Sequence, residues 1–283
     1  MVLTIYSKTP WFLCRNVYLT LKSDKIYYYA DGIYAICAVT LPLEQYMYLK
    51  LLVISIGFAL TVNSIAGPDE NEAIKKSLKT VLPELNVSTI QESPVPGLYT
   101  VMIGAEVFYV SANGQYLIRG DLIDLVNKNN LTEQERTLAR VDILKDIPID
   151  QYIEFAPAKP EHTVYVFTDI TCAFCQKLQH DIAQINEKGI AVRYLAFPRA
   201  GTDTDVSKQM ESVWCAQDRQ QALSDAMIGL GVKPAECVNP VNEHFALGQA
   251  MGVRGTPAIY TEDGRYLAGY LPPDELLREL GRK

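Results

Sequence analysis

Two cysteines, Cys172 and Cys175, stand with only Ala173 and Phe174 between them in the stretch TDITCAFCQKLQHDI. Thiols at this spacing suit half of a metal site or a redox couple, or they have no chemical role. A metal site needs a second pair of ligands. The three histidines, His162, His180 and His244, are scattered, and no second C-x-x-C occurs. That argues against zinc and favours a dithiol couple, which calls for no cofactor. A couple works only if one sulfur is a ready thiolate and the other is held back, so the surrounding elements decide.

HTVYVFTD, residues 162–169, is a β-branched and aromatic run of strand length. The period then changes. Phe174, Leu178, Ile182 and Ile185 recur at steps of three and four, and Gly189 is placed to stop a helix. The spacing therefore predicts a strand, then one helix up to Gly189. Cys172 falls at the helix N-terminus and Cys175 one turn in. Unpaired backbone N–H groups and the positive end of the helix dipole favour a thiolate there, below the ordinary value of about 8.5. Cys175 faces inward and is the natural resolving thiol.

MYLKLLVISIGFALTVNSIA, residues 47–66, has the order of a secretory signal: Lys50, apolar residues from Leu51 to Val62, then Ser64-Ile65-Ala66 before a cut. The apolar stretch is shorter than the ~20 residues needed to span a bilayer. Residues 1–46 contain seven tyrosines, Cys14 and Cys37, with no sustained helical or strand period. They read as an extension upstream of the true start, Met47; the alternative is a genuine extension. The processed chain would be residues 67–283. Residues 1–66 hold five of the 26 basic and three of the 33 acidic residues, leaving 21 and 30 and a net charge of −9. Such a surface, without a basic cluster, does not suit nucleic acid. Four cysteines remain, an even number in an oxidising setting: Cys172, Cys175, Cys215 and Cys237.

Residues 67–130 read as a small helix-plus-sheet unit. NEAIKKSLKTVLPEL has helical apolar spacing at Ile74, Leu78 and Val81, and a strand follows. A hairpin comes next, its arms Glu106–Val110 and Gln115–Arg119 meeting at Asn113-Gly114. So small a unit is marginal alone, and pairing at a free sheet edge would repair that. Residues 131–148 form a charged helical linker, with Thr132 and Glu135 at capping-box spacing and a solvated face. Residues 149–283 alternate elements: the strand and C-x-x-C helix, a strand at IAVRYLAF, a helical insertion at residues 203–229, a short helix at residues 242–251, two strands about Asp263-Gly264, and a last helix at PPDELLREL. That order is α/β, a thioredoxin fold with a helical insertion.

Several residues carry two readings. Phe174 either offers apolar surface beside the thiolate or caps the core. Asp169 is a strand-end turn residue or tunes the thiol, with the turn favoured. Trp214 reads as core packing, and His162 and His180 as surface residues.

The motifs VFTDITCAFCQKL, VRYLAFPRAGTDTD, WCAQD, HFALGQAMGVRGTPAIY and GYLPPDEL, in this order, resemble the DsbC family of periplasmic disulfide isomerases over essentially all of residues 67–283. The resemblance implies a periplasmic, V-shaped homodimer paired through its N-terminal domains, with two catalytic domains facing an apolar cleft. It implies that Cys172 attacks and Cys175 resolves, the two forming the redox-active disulfide, and that Cys215 and Cys237 form a structural disulfide. Thr256-Pro257 matches the family's cis-proline loop, which lies against the active-site disulfide and, with Phe174, would meet substrate. Two positions depart from the family pattern. Ala173-Phe174 stands where the best-known member has Gly-Tyr, and Val166 stands where the thioredoxin pattern has a buried aspartate, which leaves the proton path from the resolving thiol open.

The expected activity is rearrangement of wrong disulfides in misfolded exported proteins, with chaperone capacity and a membrane reductant resembling DsbD. The alternatives are a dithiol oxidase that donates disulfides and a dimeric holdase without redox turnover. The edge strand around Tyr116–Gly120 is the candidate dimer contact.

Overall fold

The computed structural model describes residues 18–22, 25–29, 70–81 and 87–282. The signal-like stretch at residues 47–66, with Cys14 and Cys37, lies outside them. Residues 1–66 and 67–283 group as two separate units. In the first, β1 (Tyr18–Lys22) and β2 (Lys25–Tyr29) form an antiparallel hairpin, Tyr18 opposite Tyr29. The sequence reading expected no strand there; a tyrosine-rich arm such as KIYYY has high strand propensity even without alternation.

The second unit begins with α1 (Glu70–Val81), which lays Ile74 and Leu78 on Val101, Ile103 and Val110. Val81, expected on the same face, is 72 % exposed at the last turn. The sheet runs β3 (Thr89–Glu92), β4 (Leu98–Ile103), β5 (Glu106–Ser111) and β6 (Leu117–Ile118), all antiparallel. β3 was not foreseen. β6 is two residues long, shorter than the expected arm, so Tyr116 and Gly120 flank the edge strand instead of lying in it. Gly114 sits at φ +69° in the turn, where only glycine is unstrained. A short ribbon, β7 (Ile123–Asp124) with β8 (Asn129–Asn130), leads into the next helix.

That helix, α2 (Leu131–Lys145), is capped by the Asn130 side chain, which accepts from Glu133 N. The expected capping box at Thr132 does not form. Thr132 is buried, its hydroxyl 2.5 Å from Tyr109 Oη and accepting from Leu122 N at 2.7 Å. α2 keeps the expected solvated face at Gln134, Leu138, Asp142 and Lys145, but its other face is packed. Arg140 is buried, pairs with Glu133 at 2.6 Å, and lies 5.5 Å from the Tyr260 ring centroid. Gly264, at φ +81°, presses against Thr137 O, so a side chain there would collide with the helix. Among its charges, Arg140 is engaged by the domain that follows, and Arg136 pairs with Asp121 of the small domain at 2.8 Å.

In that domain β9 (Ile153–Phe155), β10 (His162–Thr168), β11 (Ile190–Ala196), β12 (Ala258–Thr261) and β13 (Tyr266–Ala268) form one sheet, order β13-β12-β10-β11-β9. β10 and β11 are parallel, and the other pairs are antiparallel. Alternation divides the core: Val164, Val166, Val192 and Tyr194 face one layer, and Tyr165, Phe167 and Leu195 the other. The predicted single helix after β10 is two, α3 (Ala173–His180) and α4 (Ile182–Glu187), broken at Asp181; Gly189 at φ +78° ends the run. The insertion holds α5 (Asp205–Trp214) and α6 (Arg219–Met227), followed by α7 (Val241–Ala250); α8 (Pro273–Leu280) closes the chain. Cys215 at the end of α5 is bonded to Cys237, with an S–S distance of 2.01 Å. Trp214 is fully buried, donating to Gln151 O at 2.7 Å and meeting His244 edge-on. No described helix is long and apolar enough to cross a membrane. The chain thus has the expected α/β thioredoxin-type architecture behind a small α+β domain.

Candidate active site

The central strand delivers the site. β10 ends at Thr168, and Asp169 then organises the turn into α3. Its buried carboxylate accepts from Thr171 N (2.7 Å) and Thr171 Oγ1 (2.6 Å), and from Arg199 N (2.9 Å) and Nε (3.1 Å). Its carbonyl accepts from Cys172 N at 3.0 Å. Burial raises the Asp169 pKa, but the bonds from Thr171 and Arg199 outweigh it and hold the group below the usual value. Asp169 is therefore the turn residue that sequence reasoning favoured. Its partner Arg199, in the loop after β11, was not foreseen; a short charged residue buried beside a C-x-x-C is the signal that calls for a cation.

Cys172 is the N-cap of α3 and Cys175 lies in its first turn; both are unbonded. Cys175 is completely buried. Cys172 shows only 4 % of its surface, so the accessible thiol expected from sequence is a nearly covered one. The covering comes from the neighbouring strand: Thr256-Pro257, a cis peptide, precedes β12, which pairs with β10, and Cys172 Sγ donates to Thr256 O at 3.1 Å. Thus Cys172, Cys175, Thr256 and Pro257, separated by up to 85 residues, share one site. Phe174 completes it: 60 % exposed, it stacks on Tyr270 at 6.4 Å and does not cap the core. Tyr270 was not foreseen. It donates to Asp181 at 2.5 Å and has the Lys177 ammonium 4.7 Å from its ring centroid, fixing the loop ahead of α8 against the break between α3 and α4.

The two thiols are tuned apart. Burial raises the Cys172 pKa, but the Thr256 hydroxyl, the N–H groups of Cys175 and Phe174, and the Cys175 thiol all favour the thiolate and outweigh it, and the net shift is downward. At Cys175 burial dominates and pushes the pKa up to about 12. Charge belongs on the outer sulfur at the helix N-terminus, as the dipole and the free N–H groups dictate.

Cys215 ends α5 in the insertion and Cys237 lies in the loop beyond it, and Tyr116 and Gly120 lie in the small domain. Tyr116 is 68 % exposed, and nothing lies within 4 Å of where a Gly120 side chain would be. Neither pair joins the thiol site.

Residues 65–133 match the family model described as the disulfide bond isomerase protein N-terminal domain, and residues 149–282 match a thioredoxin-like domain. The chain is 38 % identical over 222 residues to the thiol:disulfide interchange protein DsbC of Dickeya dadantii, covering 78 % of this chain and 90 % of that one. The same-named Escherichia coli protein is 36 % identical over 233 residues, 82 % of this chain and 93 % of its own. That of Haemophilus influenzae is 39 % identical over 213 residues, 75 % and 90 %.

Proposed function

The chain belongs to the DsbC family of thiol:disulfide interchange proteins, and on that premise we propose how its own residues carry out the exchange. The family activity is disulfide isomerisation, and the Cys172/Cys175 couple performs it here. Cys172 as thiolate attacks a substrate disulfide. A new bond joins Cys172 to one substrate sulfur, the substrate S–S bond breaks, and its electron pair leaves on the other sulfur. If that freed thiolate attacks elsewhere in the substrate, a further exchange returns Cys172 as thiolate, and the disulfide has moved without net redox change. If it does not, Cys175 attacks Cys172; the enzyme becomes a disulfide and the substrate is left with two thiols.

The observation supporting this assignment most strongly is the asymmetry of the pair: a low-pKa sulfur at a helix N-terminus beneath the cis-proline loop, and a fully buried, high-pKa partner behind it. Thr256-Pro257 and the exposed Phe174 ring are the substrate-contacting surface. Cys215–Cys237 is structural, since it ties the helical insertion together away from the thiol pair.

The substrates are misfolded exported proteins, met in the periplasm after cleavage following Ala66, and the working form is a homodimer with chaperone capacity. The small domain supports the dimer: Tyr116, Leu117, Ile118, Ile123, Leu125 and Val126 are exposed apolar residues at and beyond its edge strand. Isomerisation requires a reduced couple, so a membrane reductant resembling DsbD belongs to the cycle.

Refolding of a scrambled multi-disulfide protein tests the assignment. The wild type is expected to restore native pairing, Cys172→Ala to lose that activity, and Cys175→Ala to accumulate mixed disulfides. Full activity in Cys172→Ala would mean a holdase whose cysteines are incidental. Thiol trapping in cells separates the remaining alternative: a mostly oxidised couple would mean a disulfide donor.

A further inference from the structure

The resolving step needs Cys175 to lose a proton inside a core with no obvious place for the resulting charge. Val166 occupies, fully buried, the strand position where a thioredoxin-type aspartate would stand. The buried carboxylate nearest in sequence, Asp169, is already engaged, Oδ1 by Thr171 and Oδ2 by Arg199. Three buried hydroxyls nearby are not engaged, Thr256 Oγ1 in the cis-proline loop and two in the sheet. Thr168 Oγ1 at the end of β10 and Tyr194 Oη on β11 are completely buried, and neither has a hydrogen-bond partner. Tyr194 packs in the same core cluster as Cys175, directly across from Val166 in the β10–β11 register. Among the described residues, Cys175 is the titratable neighbour that acts on the Tyr194 hydroxyl, and Thr168 is the strongest influence lowering the Cys175 pKa, although no hydrogen bond closes between them in the dithiol state.

A buried hydroxyl without a partner is costly and calls for a reason. A neutral thiol is a weak acceptor; a thiolate is a strong one, because hydrogen bonds to charged groups are shorter and stronger. We propose that the Thr168 and Tyr194 hydroxyls are hydrogen-bond donors kept free for the Cys175 sulfur as it becomes a thiolate in the resolving step. The proposal rests on the dithiol reading of Cys172 and Cys175. In this step Cys175 releases its proton, the two hydroxyls turn their O–H groups to the sulfur, and the sulfur attacks Cys172. The Cys172–Cys175 bond forms, the Cys172–substrate bond breaks, and the departing substrate sulfur carries the electron pair and takes up the proton. The hydroxyls keep their own protons throughout. Besides the two hydroxyls, the titratable or charged groups around Cys175 are Cys172, the Arg199 guanidinium and the occupied Asp169 carboxylate.

The test separates the two sulfur steps. Reduced protein is mixed with dithiobis(nitrobenzoate): the first coloured thiolate is released when Cys172 attacks, the second when Cys175 resolves. Thr168→Val and Tyr194→Phe are expected to leave the first release unchanged and slow the second on the order of tenfold, with its pH profile displaced to higher pH. Thr168→Ser should behave as wild type. In a Cys172→Ala background the same two substitutions should move alkylation of Cys175 to higher pH. Tyr194→Phe removes one oxygen and keeps the ring, so it carries the test if Thr168→Val does not fold. An unchanged second release, or equal slowing of both releases, overturns the proposal. A wild type that never gives the second release overturns the dithiol reading itself.

Discussion

Cys172 and Cys175 are the same chemical group one helical turn apart, yet their acidities move in opposite directions, and the cause is what each sulfur meets. Cys172 meets backbone N–H groups and Thr256; Cys175 meets packed side chains. The order of deprotonation follows: as pH rises, the Cys172 thiolate appears first, below the range of a free thiol, while Cys175 stays protonated up to about 12. Brief alkylation of reduced protein near pH 6, read by peptide mass, should label Cys172 well ahead of Cys175. Equal labelling would refute the assignment of attacking and resolving roles.

Among the elements, the insertion between β11 and α7 is held by Cys215–Cys237, a sequence separation of 22. A loop of that size stabilises by about 3 kcal/mol in the chain-entropy account. Replacing both cysteines with alanine should lower the melting temperature by several degrees while thiol exchange at Cys172 persists; loss of exchange at unchanged stability would make this pair catalytic. The same region contains His244, on α7 against Trp214. It is buried, its Nδ1 accepting from Ala196 N at 3.2 Å. Burial lowers its pKa to about 4. A depressed histidine takes up its proton more readily when unfolded, so it costs no stability above its unfolded value of about 6.5 and progressively more as pH falls from there towards 4. Asp169, lowered from 3.8, acts only below that window. Chemical denaturation between pH 7 and pH 4.5 should show this fall, and His244→Asn should flatten it. An identical slope in the variant would assign the loss to other groups.

At the scale of the molecule, the small domain leaves a group of apolar residues exposed around a two-residue edge strand, and a free edge of that kind favours pairing. Native mass spectrometry of the processed chain should show twice its monomer mass. Gly120→Trp fills a position with open space on its own subunit, so its damage should appear only where a second copy approaches. The expected result is a monomer that still reduces small disulfides but no longer isomerises a misfolded protein. A stable dimer with full isomerase activity in Gly120→Trp would remove this edge from the interface.

Local chemistry was legible in the sequence wherever it depends on neighbours along the chain. The strand before the thiols, the placement of Cys172 at a helix start and Cys175 one turn in, the Gly189 stop and the Asn113-Gly114 turn follow from period and backbone freedom, which a single segment carries in full. The Cys215–Cys237 bond and the cis-proline loop were legible only through the likeness of whole motifs to a family. Tertiary structure alone decided what depends on distant residues. Thr132 is drawn from its expected cap to Tyr109 and Leu122, Arg140 is drawn under the Gly264 turn, and Cys172 is nearly covered by Thr256. The pairing of Asp169 with Arg199 and of Phe174 with Tyr270 belongs to the same class. Each is a polar group or ring whose partner is set by which strands lie side by side, and a period along the chain holds no record of that adjacency.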